Sequence, residues 1–119
     1  MNLKDVEDAA PAYGMSPQME ARFARKPLEC EQLSLSYQRL APGYRVPFGH
    51  KHAGQEEVYV ALRGSGTLEA DGERYELSPE HIVRVGSSVK RKVTPGPDGL
   101  RLLALGATPG KAYDTGGTL

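Results

Sequence analysis

Along most of this chain, apolar and polar residues alternate in short runs with a period near two, the signature of half-buried strands. From Cys30 to Leu40, Leu33, Leu35 and Tyr37 fall on one face and Ser34, Ser36 and Gln38 on the other, which predicts a strand with its leucines inward. Tyr44 to His52 reads as an extended segment interrupted by Pro47. Glu56 to Leu62, carrying Val58, Tyr59, Val60 and Leu62, is the strongest strand signal. Gly64-Ser65-Gly66 allows a bend or bulge after it. Thr67 to Ala70 and Arg74 to Leu77 flank Asp71-Gly72, a dipeptide suited to a type I′ hairpin because both turn residues need positive φ. Ile82 to Val85, Val89 to Val93 and Leu100 to Leu105 complete the set, with Thr94 to Gly99 expected as a loop.

Fourteen glycines and nine prolines break the chain every few residues and leave little room for helices. The expected class is therefore all-β, a sandwich or barrel of short antiparallel strands. Residues 1–27 are interrupted by Pro11, Gly14, Pro17 and Pro27, and only Gln18 to Lys26 offers a short helical turn. They are expected to form an arm over the barrel or over a partner subunit. Residues 28–106 would be the barrel and 107–119 a loose Gly-, Thr- and Pro-rich tail.

Lys plus Arg and Asp plus Glu both number 15, so nothing marks a nucleic-acid or anionic-membrane surface. The single cysteine, Cys30, cannot form an internal disulfide and is expected to be a small core residue. The first residues lack the basic and apolar blocks of a signal peptide, and no apolar run is long enough for a membrane span. A cytoplasmic protein is expected.

The chemistry concentrates in His50-Lys51-His52, followed closely by Glu56-Glu57. Two histidines at i and i+2 of an extended segment project from one face. A carboxylate on a neighbouring strand would complete two imidazoles and one acid with open positions, a set suited to iron, manganese, zinc or nickel. Glu56 and Glu57 point to opposite faces, and parity alone puts Glu56 with Val58, Val60 and Leu62. Arg91 lies between Val89 and Val93 and is expected inside the barrel, with Lys90 and Lys92 outside. It would bind a ligand's carboxylate or phosphate, or pair with Glu57. Tyr59 and Phe48 are candidates for pocket lining or, equally, for core packing, Tyr44 and Arg45 are candidate mouth residues, and His81 is a surface residue.

Residues 42–105 resemble the cupin superfamily, in particular its small single-domain members. The first cupin motif appears as Gly43, His50, His52, Glu57 and Gly64, with one residue more than usual between Gly43 and His50. Within that motif the acid is Glu57. The second motif is partial, and Arg91 stands where its last histidine would be. The resemblance implies a double-stranded β-helix, or jelly-roll barrel, with a divalent metal ion inside on His50, His52 and Glu57. It further implies a small organic acid or sugar as substrate, handled by dioxygenation, isomerisation or decarboxylation, and often a dimer. The alternative is a non-catalytic binder of a small anion with a degenerate metal site. If Glu57 faces inward, Val58, Val60 and Leu62 form an apolar outer face that predicts a homodimer.

Overall fold

A computed structural model describes residues 1–46 and 54–107. Two 3₁₀ turns, Leu3–Asp5 and Pro11–Tyr13, precede six strands. These are β1 (Met19–Phe23), β2 (Ser34–Leu40), β3 (Glu56–Ala70), β4 (Glu73–Leu77), β5 (Ile82–Val85) and β6 (Arg91–Ala107). All pairings are antiparallel, in the order β1-β2-β6-β3-β4, with β5 on the far side of the first half of β3. The arrangement is that of a jelly-roll barrel, as the sequence predicts.

Two long strands make the barrel. β3 and β6 pair along nearly their whole lengths, and the register shifts between Ala61 and Arg63 and again between Gly64 and Gly66. These bulges fold each strand over, so inward residues of both halves join one core containing Tyr59, Ala61, Leu68, Ala70, Val93, Leu100 and Leu102. Glycine is required at the fold. Gly64 has φ +80, and a Cβ there would lie 2.1 Å from the Gly99 carbonyl oxygen. Asp71 and Gly72, with φ of 52 and 74, form the predicted positive-φ turn between β3 and β4.

Three expectations are corrected. Thr94 to Gly99 is not a free loop: β6 runs through it, with Pro95 opposite Gly66 and Leu100 opposite Gly64. The Pro- and Gly-rich composition marks the corner of a bent strand, not the end of one. Met19–Phe23 is a strand paired with β2, not a helical turn. The face assignment of β2 holds only in part. Ser36 and Gln38 share the inner row with Ala104 and Leu102, while Leu35 and Tyr37 lie on the other face, opposite Leu105 and Leu103, where Tyr37 is nonetheless buried. The inner face of β2 borders a cavity, so it tolerates polar side chains that a packed core would exclude.

The N-terminal segment is anchored on β1 by charge. The Asp8 carboxylate accepts hydrogen bonds from the backbone N–H groups of Ala10 (3.0 Å) and Ala21 (2.9 Å). Arg22 donates to the Val6 carbonyl and to Glu20, which also accepts from Arg39 at 3.0 Å. Desolvation pushes the Asp8 carboxyl up, but the two backbone donors and Arg22 and Arg39 outweigh it and hold it below its ordinary 3.8. The Arg22 hydrogen bond, together with Arg39, likewise holds Glu20 below 4.5. Depressed acids contribute stability above their unfolded values and lose it as pH falls through the folded ones. The protection of the Ala10 and Ala21 amides, relative to their intrinsic exchange rates, should therefore hold above pH 4.5 and fall with acidification below 3.8. Asp8→Asn, which keeps an acceptor oxygen without the charge, should blunt that dependence. An unaltered pH profile in the variant would contradict the account.

Candidate functional site

Glu57 is the second residue of β3, opposite Gly106 on β6 and Val85 on β5. Alternation along β3 buries Glu57, Tyr59 and Ala61 and leaves Glu56, Val58 and Val60 on the outer face. Glu56 instead reaches Arg84 at the surface, 3.4 Å away. The acid that enters the barrel is thus the one the motif spacing selects, and simple apolar parity fails because both faces of the strand carry apolar residues.

Arg91, the first residue of β6, pairs with Ala70 at the far end of β3 and turns its side chain inward. Its side chain is fully buried, and its Nη1 donates to Glu57 Oε1 at 2.7 Å. Nη2 donates to the carbonyls of Gly86 (2.9 Å) and Val89 (2.8 Å), and Nε donates to Val89 at 3.0 Å. One guanidinium therefore holds the β5–β6 turn, where Ser88 takes φ 64, and ties it to the opening of β3. The planar fork of arginine suits this geometry, which a lysine could not reproduce. The sequence expectation that Arg91 pairs with Glu57 matches what is seen. Its other expected role, gripping a ligand's anion, would compete with donors already engaged.

Tyr59, 1% exposed, donates its hydroxyl to the same Glu57 Oε1 at 2.7 Å. Burial, reinforced by the neighbouring carboxylate, pushes its phenol far above the ordinary value of 10, so it stays a donor at any physiological pH. Tyr59 is a core residue that orients Glu57, rather than pocket lining. His81 is exposed and bonds to Ser78 Oγ at 2.6 Å. Tyr44 packs between the main core and a smaller cluster of Ala10, Met19 and Ala21, and Arg45 is exposed.

His50, His52 and Phe48 lie outside the described residues. Among the described residues no three His, Cys, Asp or Glu side chains gather to hold a metal ion. Glu57 itself fits the carboxylate position of such a set. It is buried, faces inward, and is oriented by hydrogen bonds from Tyr59 and Arg91, as metal-ligating carboxylates commonly are. The guanidinium beside it opposes a divalent cation.

Two hollows flank this cluster. A cavity of about 300 Å³ lies between the sheet halves, with Glu57, Ser36, Gln38 and Val93 in its wall and Met15, Met19 and Phe23 closing it. Arg91 borders instead a wider, polar cleft of about 950 Å³ between the β3–β4 hairpin and residues 88–92. The wall from β1 was missed in the sequence reading, although Met19, Ala21 and Phe23 alternate with Glu20 and Arg22 at strand spacing. The Gly86 and Val89 carbonyls carry no sequence signal at all.

A Cupin domain family model matches residues 36–106. Among solved structures, a cupin protein from Bacteroides fragilis is 26% identical, with TM-score 0.73, covering 83% of this chain and 86% of its own. A predicted oxalate decarboxylase from Thermotoga maritima (20% identity, TM-score 0.64, 76% and 80% covered) shares the fold. So does KdgF from Halomonas sp. (16%, TM-score 0.64, 78% and 82%). Comparison with curated proteins gives no match. Among the described residues, no helix is long and apolar enough to cross a membrane.

Removing one partner of a buried ion pair typically costs about 3–5 kcal/mol, because the other charge stays desolvated. Arg91→Leu should lower stability by about that much in urea unfolding. The double variant Arg91→Leu/Glu57→Leu should recover most of the loss. A double variant as unstable as the single one would show that Arg91 acts through the turn carbonyls rather than through Glu57.

Proposed function

The chain belongs to the cupin family, and on that premise we propose that it is a small-molecule-binding cupin whose ligand enters the barrel and meets Glu57. His50, His52 and Glu57 would hold a divalent metal ion there, one of iron, manganese, zinc or nickel. When bound, that ion supplies Lewis-acid or redox chemistry to a small oxygen-bearing ligand. This chain's own contribution is Glu57 fixed in position by Arg91 and Tyr59, and the observation that carries the reading is this buried carboxylate at the cavity wall, hydrogen-bonded by both. Arg91 and Tyr59 are positioning residues in this scheme.

The Arg91–Glu57 pair favours a second reading, a metal-free binding module in which the guanidinium takes the place of the ion. Metal analysis of untagged protein purified without chelators separates the two. The metal reading expects a stoichiometric divalent ion, lost in His50→Ala/His52→Ala, and Tyr59→Phe weakening metal affinity by about 10–100-fold. No metal in the wild-type chain would sink it and leave the binding module.

The reading includes a homodimer. Val58, Val60, Leu103 and Leu105 sit side by side on the outer face, extended by Leu62 (48% exposed) and Ile82 (71% exposed). The charges beside them, Glu56 and Arg84, are of both signs, which suits a self-complementary two-fold contact with a second copy. Sedimentation equilibrium should give a dimer that Ile82→Lys dissociates; a monomeric wild type at high micromolar concentration would exclude it.

A further inference from the structure

The cavity beside Glu57 has a composition at odds with the organic acid or sugar that the sequence suggests. At about 300 Å³ it lies at the small end of ligand sites. Most of the described residues in its wall are apolar: Met15, Met19 and Phe23 from the N-terminal part, and Leu40, Val46 and Val93 from the barrel. The polar groups in that wall are Ser36 and Gln38 of β2, where Gln38 donates to Ser36 Oγ at 3.2 Å, and Glu57 of β3, which faces inward. Tyr13 and Phe23, 70% and 59% exposed, stand at the edge of this same cavity. Large exposed aromatics beside an apolar hollow are what a ligand's entry would use. The two methionines supply soft walls that adapt to shape.

We infer that this cavity takes a compact, uncharged and largely apolar molecule carrying a single hydroxyl, a small phenol or alcohol. This deepens the proposal that the barrel is the ligand site and rests on it. The hydroxyl donates toward Glu57, and the hydrocarbon body lies against Met15, Met19 and Phe23. A sugar would leave several hydroxyls unsatisfied against those walls. A carboxylate would lose its hydration against the same walls. Among the described residues of the wall, Lys92, on the opposite strand face to Val93, would favour an anion, so the test includes one.

The full chain is titrated with p-cresol, benzoate and glucose by isothermal calorimetry, with metal content measured on the same preparation. Saturable binding of p-cresol, tighter than benzoate and glucose, is expected. Phe23→Asp should weaken it about tenfold or more, since it sets a charge against the apolar body. Phe23 is largely exposed, and circular dichroism checks that the variant keeps its fold. Absent p-cresol binding, equal or tighter binding of benzoate or glucose, or an unchanged affinity in Phe23→Asp would each overturn the inference. Metal bound without p-cresol binding would overturn it while leaving the metal reading standing. p-Cresol binding to metal-free protein would uphold the cavity and remove the ion.

Discussion

A desolvated guanidinium spanning the barrel is the constraint around which the rest is arranged. Arg91 starts on the sheet half that holds the β3–β4 hairpin and ends on Glu57, in the other half. Its remaining contacts are backbone carbonyls of the turn that leads into its own strand. Such a pair adds little net stability over an apolar replacement, but it penalises any arrangement that separates the partners. It therefore specifies how the sheet halves face one another more than it strengthens them. Tyr59 completes the arrangement by giving the carboxylate a second donor inside the core.

The same pair governs what the interior can do. Glu57 is presented to the cavity with its orientation already set, so a ligand or ion meets an organised acceptor. The cation that organises it is itself fully buried beside the carboxylate. The N-terminal segment, anchored through Asp8 and the Glu20–Arg22–Arg39 cluster, then closes the cavity with apolar side chains.

Much of this was legible from residues alone, for identifiable reasons. Asp71-Gly72 dictates a turn by local sterics, and Glu57 is marked by its interval from the two histidines. Arg91 could be read inward because its neighbours are valines. What failed depended on non-local context. Pro95 and Gly99 look like loop residues until β3 is seen bending beside them. Leu35 looks like core until the hollow behind β2 is known. Met19 to Phe23 was obscured by surrounding prolines, although its alternation is regular. The partners of Arg91 beyond Glu57 are main-chain oxygens, which no side-chain pattern can announce.

The pairing of β6 with both β2 and β3 also has a kinetic side. Neither ladder can form until distant stretches of chain have met, so loop-closure entropy is lost before those contacts repay it. The β3–β4 hairpin, closed by its two-residue turn, is the element able to assemble early and alone. Newly made polypeptide must then wait for its final strand, with the leucines of β2 uncovered in the interval. In such a topology the hazard of clumping falls during synthesis, before the finished molecule exists.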